Sequence, residues 1–157
     1  MRLSTIVAII TVMLTLVPGL VFAENVIDDS KNTSYLFVLS GTSGTLNGDT
    51  LTINGVPNVI YFSDRPARKA GHTSLEKFVE LWEKESDSFK TDPPNATLSV
   101  LKKDGAQNVI VELQGAEQKN GSVVFKYRLL GGDIPKTFST FALFIDSTFV
   151  NATPGGY

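Results

Sequence analysis

Ten consecutive residues, Asp64 to Thr73 (DRPARKAGHT), hold most of what this chain offers to chemistry. They supply one carboxylate, the cations Arg65, Arg68 and Lys69, a hydroxyl, and His72, the only histidine among 157 residues. A guanidinium meets a carboxylate, phosphate or sulfate through two parallel hydrogen bonds, and an ammonium adds a point charge. Where such cations lead into a helix, the unpaired N–H groups of its first turn strengthen the attraction for an anion. The spacing therefore predicts an anion or carboxylate ligand site built from Arg65, Arg68, Lys69, His72 and Thr73, in the 64–76 loop and helix start.

The same residues suggest a second chemistry. His72 as general base with a carboxylate such as Asp64, helped by Arg65 or Arg68, would suit a small hydrolase or isomerase. Little else in the chain supports catalysis. No Gly-x-Ser-x-Gly elbow frames any serine, and a lone histidine has no second imidazole with which to share a metal. Cysteine is absent, which excludes thiolate metal sites and cysteine nucleophiles. Catalysis is thus the lesser expectation, and no cofactor is implied. A third possibility is calcium: Asp87, Asp92 and Asn95 surround Pro93-Pro94 in an oxygen-rich loop, though without the order of an EF-hand. The alternative is a stiff connector in which Phe89 turns inward.

The elements that would position these groups are mostly strands. Asn47-Gly48, Asn54-Gly55, Asp104-Gly105 and Asn120-Gly121 accept the positive φ angles of tight turns. Between them, residues 35–40, 44–46, 50–54, 59–62, 97–101, 108–113, 122–129 and 140–146 read as eight strands. Val123, Phe125, Tyr127 and Leu129 alternate with Val124, Lys126 and Arg128, which places one face in a core. The pattern predicts an antiparallel β-sandwich, with a closed β-barrel as the alternative, and one inserted helix. Thr73 and Glu76 have capping-box spacing, and Leu75, Phe78, Val79 and Trp82 share a helical face, so a helix is expected from about Ser74 to Glu85. Trp82 is expected to pack that helix on the sheet rather than stack on a ligand.

The ends of the sequence bear on compartment. Arg2, the apolar run from Ile6 to Val17, the Pro18-Gly19 break and Val21-Phe22-Ala23 have the order of a secretory signal, with cleavage expected after Ala23. The apolar run is shorter than the roughly 20 residues that span a bilayer. Removing those 23 residues leaves 134, with 13 basic and 16 acidic side chains, a formal charge of -3. So mild a charge argues against nucleic acid as partner. Residues 24–33 read as a disordered lead-in, 34–150 as a single β-rich domain and 151–157 as a flexible tail. An exported protein, periplasmic or extracellular, with no stable membrane insertion after cleavage, is the expectation. Sequons stand at Asn32, Asn95, Asn120 and Asn151.

YFSDRP, AGH, the Trp-containing helix, DSF, DPPNATLSVL, VIVEL and FALFID, from about Thr45 to Asp146, resemble a family of uncharacterised exported prokaryotic proteins. The resemblance implies an exported single domain and carries over no catalytic residue. The expected function is a secreted or periplasmic non-enzymatic binding protein, with a small anion or another protein as partner. The hydrolase or isomerase stands as one alternative, and a structural envelope or extracellular-matrix protein as another.

Overall fold

The computed structural model describes residues 33–83, 89–133 and 135–147. Ten strands follow one another: β1 (Tyr35–Gly41), β2 (Ser43–Asn47), β3 (Thr50–Asn54), β4 (Val59–Ser63), β5 (Ala70–Thr73), β6 (Asn95–Lys102), β7 (Gly105–Lys119), β8 (Ser122–Gly131), β9 (Thr137–Phe138) and β10 (Phe141–Ser147). One short helix, α1 (Leu75–Val79), runs on into a single 3₁₀ turn at Glu80–Trp82. All strands join one antiparallel sheet in the order β5-β4-β1-β10-β6-β7-β8-β3-β2-β9. The mainly β, antiparallel architecture with one inserted helix is therefore as the sequence pattern predicts. The barrel alternative does not form, because the sheet is open, with β5 and β9 as its edges.

A single sheet makes both layers, and two bent strands explain how. Only Thr42 separates β1 from β2, and only Ser139 and Thr140 separate β9 from β10. Pairing continues in register across both bends, from Gly41 opposite Phe141 to Gly44 opposite Phe138. Yet β1 is third in the sheet order and β2 ninth, so the sheet must curl over its own core. Glycine permits the bend. A Cβ on Gly41 would lie 2.6 Å from the Phe141 ring and one on Gly44 2.2 Å from the Phe138 ring. Those two rings meet edge to face with centroids 5.5 Å apart.

Two strands escaped the sequence pattern. β9 is two residues long, too short to show any alternation. β5 lies within the segment expected to be a loop, and its AGHT sequence carries no apolar alternation. Asn120 and Gly121 both have positive φ, 51° and 78°, and turn β7 into β8 as that dipeptide predicts. At Asn47-Gly48 the hairpin is made one residue on, by Gly48 and Asp49. Gly55, with φ 68°, ends β3 without a hairpin, because β3 and β4 are not neighbours in the sheet.

The core lies inside the curl and is strongly aromatic. Phe37 of β1 approaches Phe78 at 5.3 Å and Phe89 at 6.0 Å. Trp82 meets Phe78, Phe89 and Phe125 of β8 at 5.4, 4.6 and 5.8 Å. Its indole N–H donates to the carbonyl of Leu113 at 3.1 Å, which satisfies the one polar group this ring brings inside. Trp82 is thus a packing residue, as expected, and Phe89 does turn inward. The helix is shorter than the expected span: α-helical bonding stops at Val79. Its N-cap is Ser74, whose side chain accepts from the Lys77 N–H, so the Thr73 capping box is displaced by one residue. Lys84 to Ser88 lie outside the described residues.

Candidate functional site

The segment from Asp64 to Thr73 is a hairpin rather than a loop feeding a helix. β4 and β5 pair with Phe62 opposite Ala70, Tyr61 opposite Gly71, Ile60 opposite His72 and Val59 opposite Thr73. Gly71 allows this, because a Cβ there would sit 2.7 Å from the Tyr61 hydroxyl. The turn is closed by its own hydrogen bonds. The Ser63 N–H donates to the Lys69 carbonyl at 2.7 Å, the Arg68 N–H to the Asp64 carbonyl at 3.0 Å, and the Lys69 N–H to Ser63 Oγ at 2.6 Å.

This hairpin separates the residues that the sequence groups together. Arg65 and Arg68 are exposed in the turn, Lys69 is half-buried beside it, and His72 is exposed on β5. Thr73 is buried at the strand end, and its Oγ1 has no hydrogen-bond partner. The helix that follows has only five residues, so its N-terminus supplies little of the dipole expected to gather anions. Asp64 lies four positions along from Ile60, the partner of His72, or roughly 13 Å at strand rise. Its carboxylate instead accepts from the Arg65 N–H at 2.6 Å. The two residues expected to share a proton do not meet.

The residues of the calcium expectation are only partly described. Asp87 lies outside the described residues, and Asp92 and Asn95 are exposed. Among the described residues no three His, Cys, Asp or Glu side chains gather as a metal would require.

What the fold does assemble is an apolar surface on the outer side of the sheet. Strand alternation sends Tyr35, Phe37 and Leu39 inward and Leu36 and Val38 outward. The register lines up His72, Ile60, Val38, Phe144, Thr97 and Ile110 across β5, β4, β1, β10, β6 and β7. A neighbouring row runs Ala70, Phe62, Leu36, Asp146. Ile60, Phe62, Ile110, Leu36 and Phe144 are each 38–49% exposed. Six strands at ~4.8 Å spacing give the first row a width of ~24 Å. Such a contiguous apolar face is uncommon on a protein that has no partner.

Two shallow hollows indent this face. One, of about 230 Å³, is lined by Leu36, Thr97, Ile110, Phe144 and Asp146 among others. The second, of about 330 Å³, is lined by Tyr35, Leu36, Phe62, Asp64 and Asp146 among others. They share Leu36 and Asp146. The ion pairs of the described residues join Lys119 to Glu117, Lys126 to Asp49 and Arg128 to Glu112. Neither Asp146 nor Asp64 takes part in any of them.

Sequence reasoning missed this face, although a signal was present. YLFVLS in β1, VIYF in β4 and FALFI in β10 are apolar at both strand parities, not at one. Runs of that type belong to strands covered on both sides, whereas a solvated outer face gives strict alternation.

Comparison of the chain with family models, with curated proteins and with solved structures found no match. Among the described residues, no helix is long and apolar enough to cross a membrane.

Proposed function

We infer that this is an exported, non-enzymatic interaction protein that receives its partner on the outer apolar face of β4, β1, β10, β6 and β7. One observation carries the reading: five large apolar side chains stand exposed and contiguous on strands whose other face is already a complete core. Leaving that much apolar surface in water forgoes roughly 25 cal/mol for each Å² that a partner could cover. The signal-like N-terminus and the resemblance to exported prokaryotic proteins support the compartment. The cationic turn at Arg65, Arg68 and Lys69 borders β4 and would form part of the rim, where charge steers encounter more than it adds affinity. The separation of His72 from Asp64 supports binding over hydrolysis.

Photo-crosslinking tests the reading. A photoreactive residue at Ile60 is expected to give discrete adducts in the exported fraction, and one at Thr52, on the outer side of β3, is expected to give none. Equal adduct patterns at the two positions would refute the assignment of this face. Mass determination of the exported protein is expected to show a chain beginning at Glu24.

A further inference from the structure

Asp146 is the one charged side chain in the middle of this face, and its position constrains what can cover it. In its row it stands beside Leu36, two positions along β10 from Phe144, and it lines both hollows. The second hollow is lined by Asp64 as well, so the charged side chains that line the two hollows are carboxylates and no cation is among them. Any partner that fills the hollows must take the Asp146 carboxylate out of water. That step is strongly unfavourable unless the partner supplies a hydrogen-bonded cation in exchange. The turn cations do not supply it within the chain, because Asp146 takes part in none of the ion pairs of the described residues.

The shape narrows the occupant further. Small-molecule sites commonly enclose most of their ligand in about 300–1,000 Å³. Here two open depressions of about 230 and 330 Å³ lie side by side on a sheet face. These are seats for single side chains of a segment laid across the surface. In an extended segment, residues i, i+2 and i+4 point the same way and the outer two are roughly 13 Å apart. We propose that the outer face binds an extended segment of another protein in which a Lys or Arg lies between two large apolar residues, the cation on Asp146 and one apolar side chain in each hollow.

The proposal rests on the reading of this face as the partner surface, and the following experiment separates the two. Three blocked peptides are titrated against the mature protein by calorimetry: Phe-Thr-Arg-Thr-Phe-Thr, and versions with norleucine or Glu in place of Arg. The Arg peptide is expected to bind at least tenfold more tightly than the Glu peptide. Asp146→Asn is expected to remove that preference while leaving norleucine-peptide binding intact, and Phe144→Thr is expected to weaken all three peptides. Equal affinity for the three peptides, still lost in Phe144→Thr, would overturn the cation requirement and leave the docking face standing. Peptide binding indifferent to Phe144→Thr and Phe62→Thr would overturn both. So would a wild-type dimer, seen by sedimentation, that either substitution dissolves, because a second copy would then be the occupant.

Discussion

The two ends of this sheet turn very different outer faces to solvent, although both contribute fully buried side chains to the core. On β3 and β8 the outer positions carry Thr50, Thr52, Val124 and Lys126, flanked on β7 by Glu117. A hollow of about 510 Å³ opens there too, but its charges are matched: Lys126 donates to Asp49 at 3.0 Å and Lys119 pairs with Glu117. On β4, β1 and β10 the outer positions carry Ile60, Phe62, Leu36, Val38 and Phe144, with Asp146 unmatched among them. The same backbone geometry therefore displays a surface that is mostly polar at one end, Leu129 and Leu130 at the end of β8 apart, and one that is mostly apolar at the other. Burial explains Phe37 and Leu39 at one end and Leu51, Ile53, Val123 and Phe125 at the other, whereas Leu129, which the alternation of β8 predicts to face the core, is exposed where that strand ends. The proposed partner surface would account for the outward apolar residues of β4, β1 and β10.

The largest effect expected from this comparison comes from neighbours on β1. Phe37 is fully buried against Phe78 and Phe89, and Leu36, next to it, points outward. Phe37→Ala is expected to cost about 3–5 kcal/mol in urea denaturation, the usual loss for a buried aromatic. Leu36→Ser is expected to cost less than ~1 kcal/mol, because its side chain already meets water. Similar losses at the two positions would mean that the outer face belongs to the core, and the contrast between the two ends of the sheet would collapse.

A smaller effect, of opposite sign, is expected where the apolar end of the sheet meets its edge. Thr73 closes β5 with a buried hydroxyl that has no hydrogen-bond partner. Valine has nearly the same shape without that group, and an unsatisfied buried polar atom costs about 1–3 kcal/mol. Thr73→Val is therefore expected to raise stability by about 1 kcal/mol, read as a rise of a few degrees in Tm. A fall in Tm would show that the hydroxyl is satisfied in solution.

The sequence disclosed the architecture more fully than the site, for a physical reason. Turn dipeptides and strand alternation report local backbone preference and one-sided burial, so the Asn120-Gly121 hairpin and the eight longer strands were legible. The β4–β5 hairpin was not, because AGHT has no alternation of its own and becomes a strand only by pairing with VIYF. The charged residues drew attention because charge is visible residue by residue. The apolar face depends on which strands become neighbours: Ile60, Val38, Phe144 and Ile110 come from four separated stretches and meet only through long-range register. The apolar runs at both parities were the one local trace of it.

The smallest expected effect tests whether the polar end is held by its surface charges. Hydrogen bonds from Lys126 and then Thr50 hold the Asp49 carboxyl below its ordinary value of 3.8. Arg128, and then Gln114, do the same for Glu112 relative to 4.5. A carboxyl whose folded-state pKa is lowered binds fewer protons in the native than in the unfolded chain. The stabilisation is therefore complete above those ordinary values and disappears as the pH falls through the lowered ones. Asp49 is exposed and Glu112, though largely covered, pairs with an exposed Arg128, so each pair contributes little, and salt should screen them further. Asp49→Asn is expected to flatten the acid limb of a Tm-against-pH curve between about pH 5 and pH 2. The difference should shrink in 1 M NaCl. Phe144→Thr, on the apolar end, should leave the slope of that limb unchanged. A Phe144→Thr variant that changed the slope as much as Asp49→Asn would tie the two ends of the sheet together electrostatically, and the division between a mostly polar and a mostly apolar surface would no longer hold.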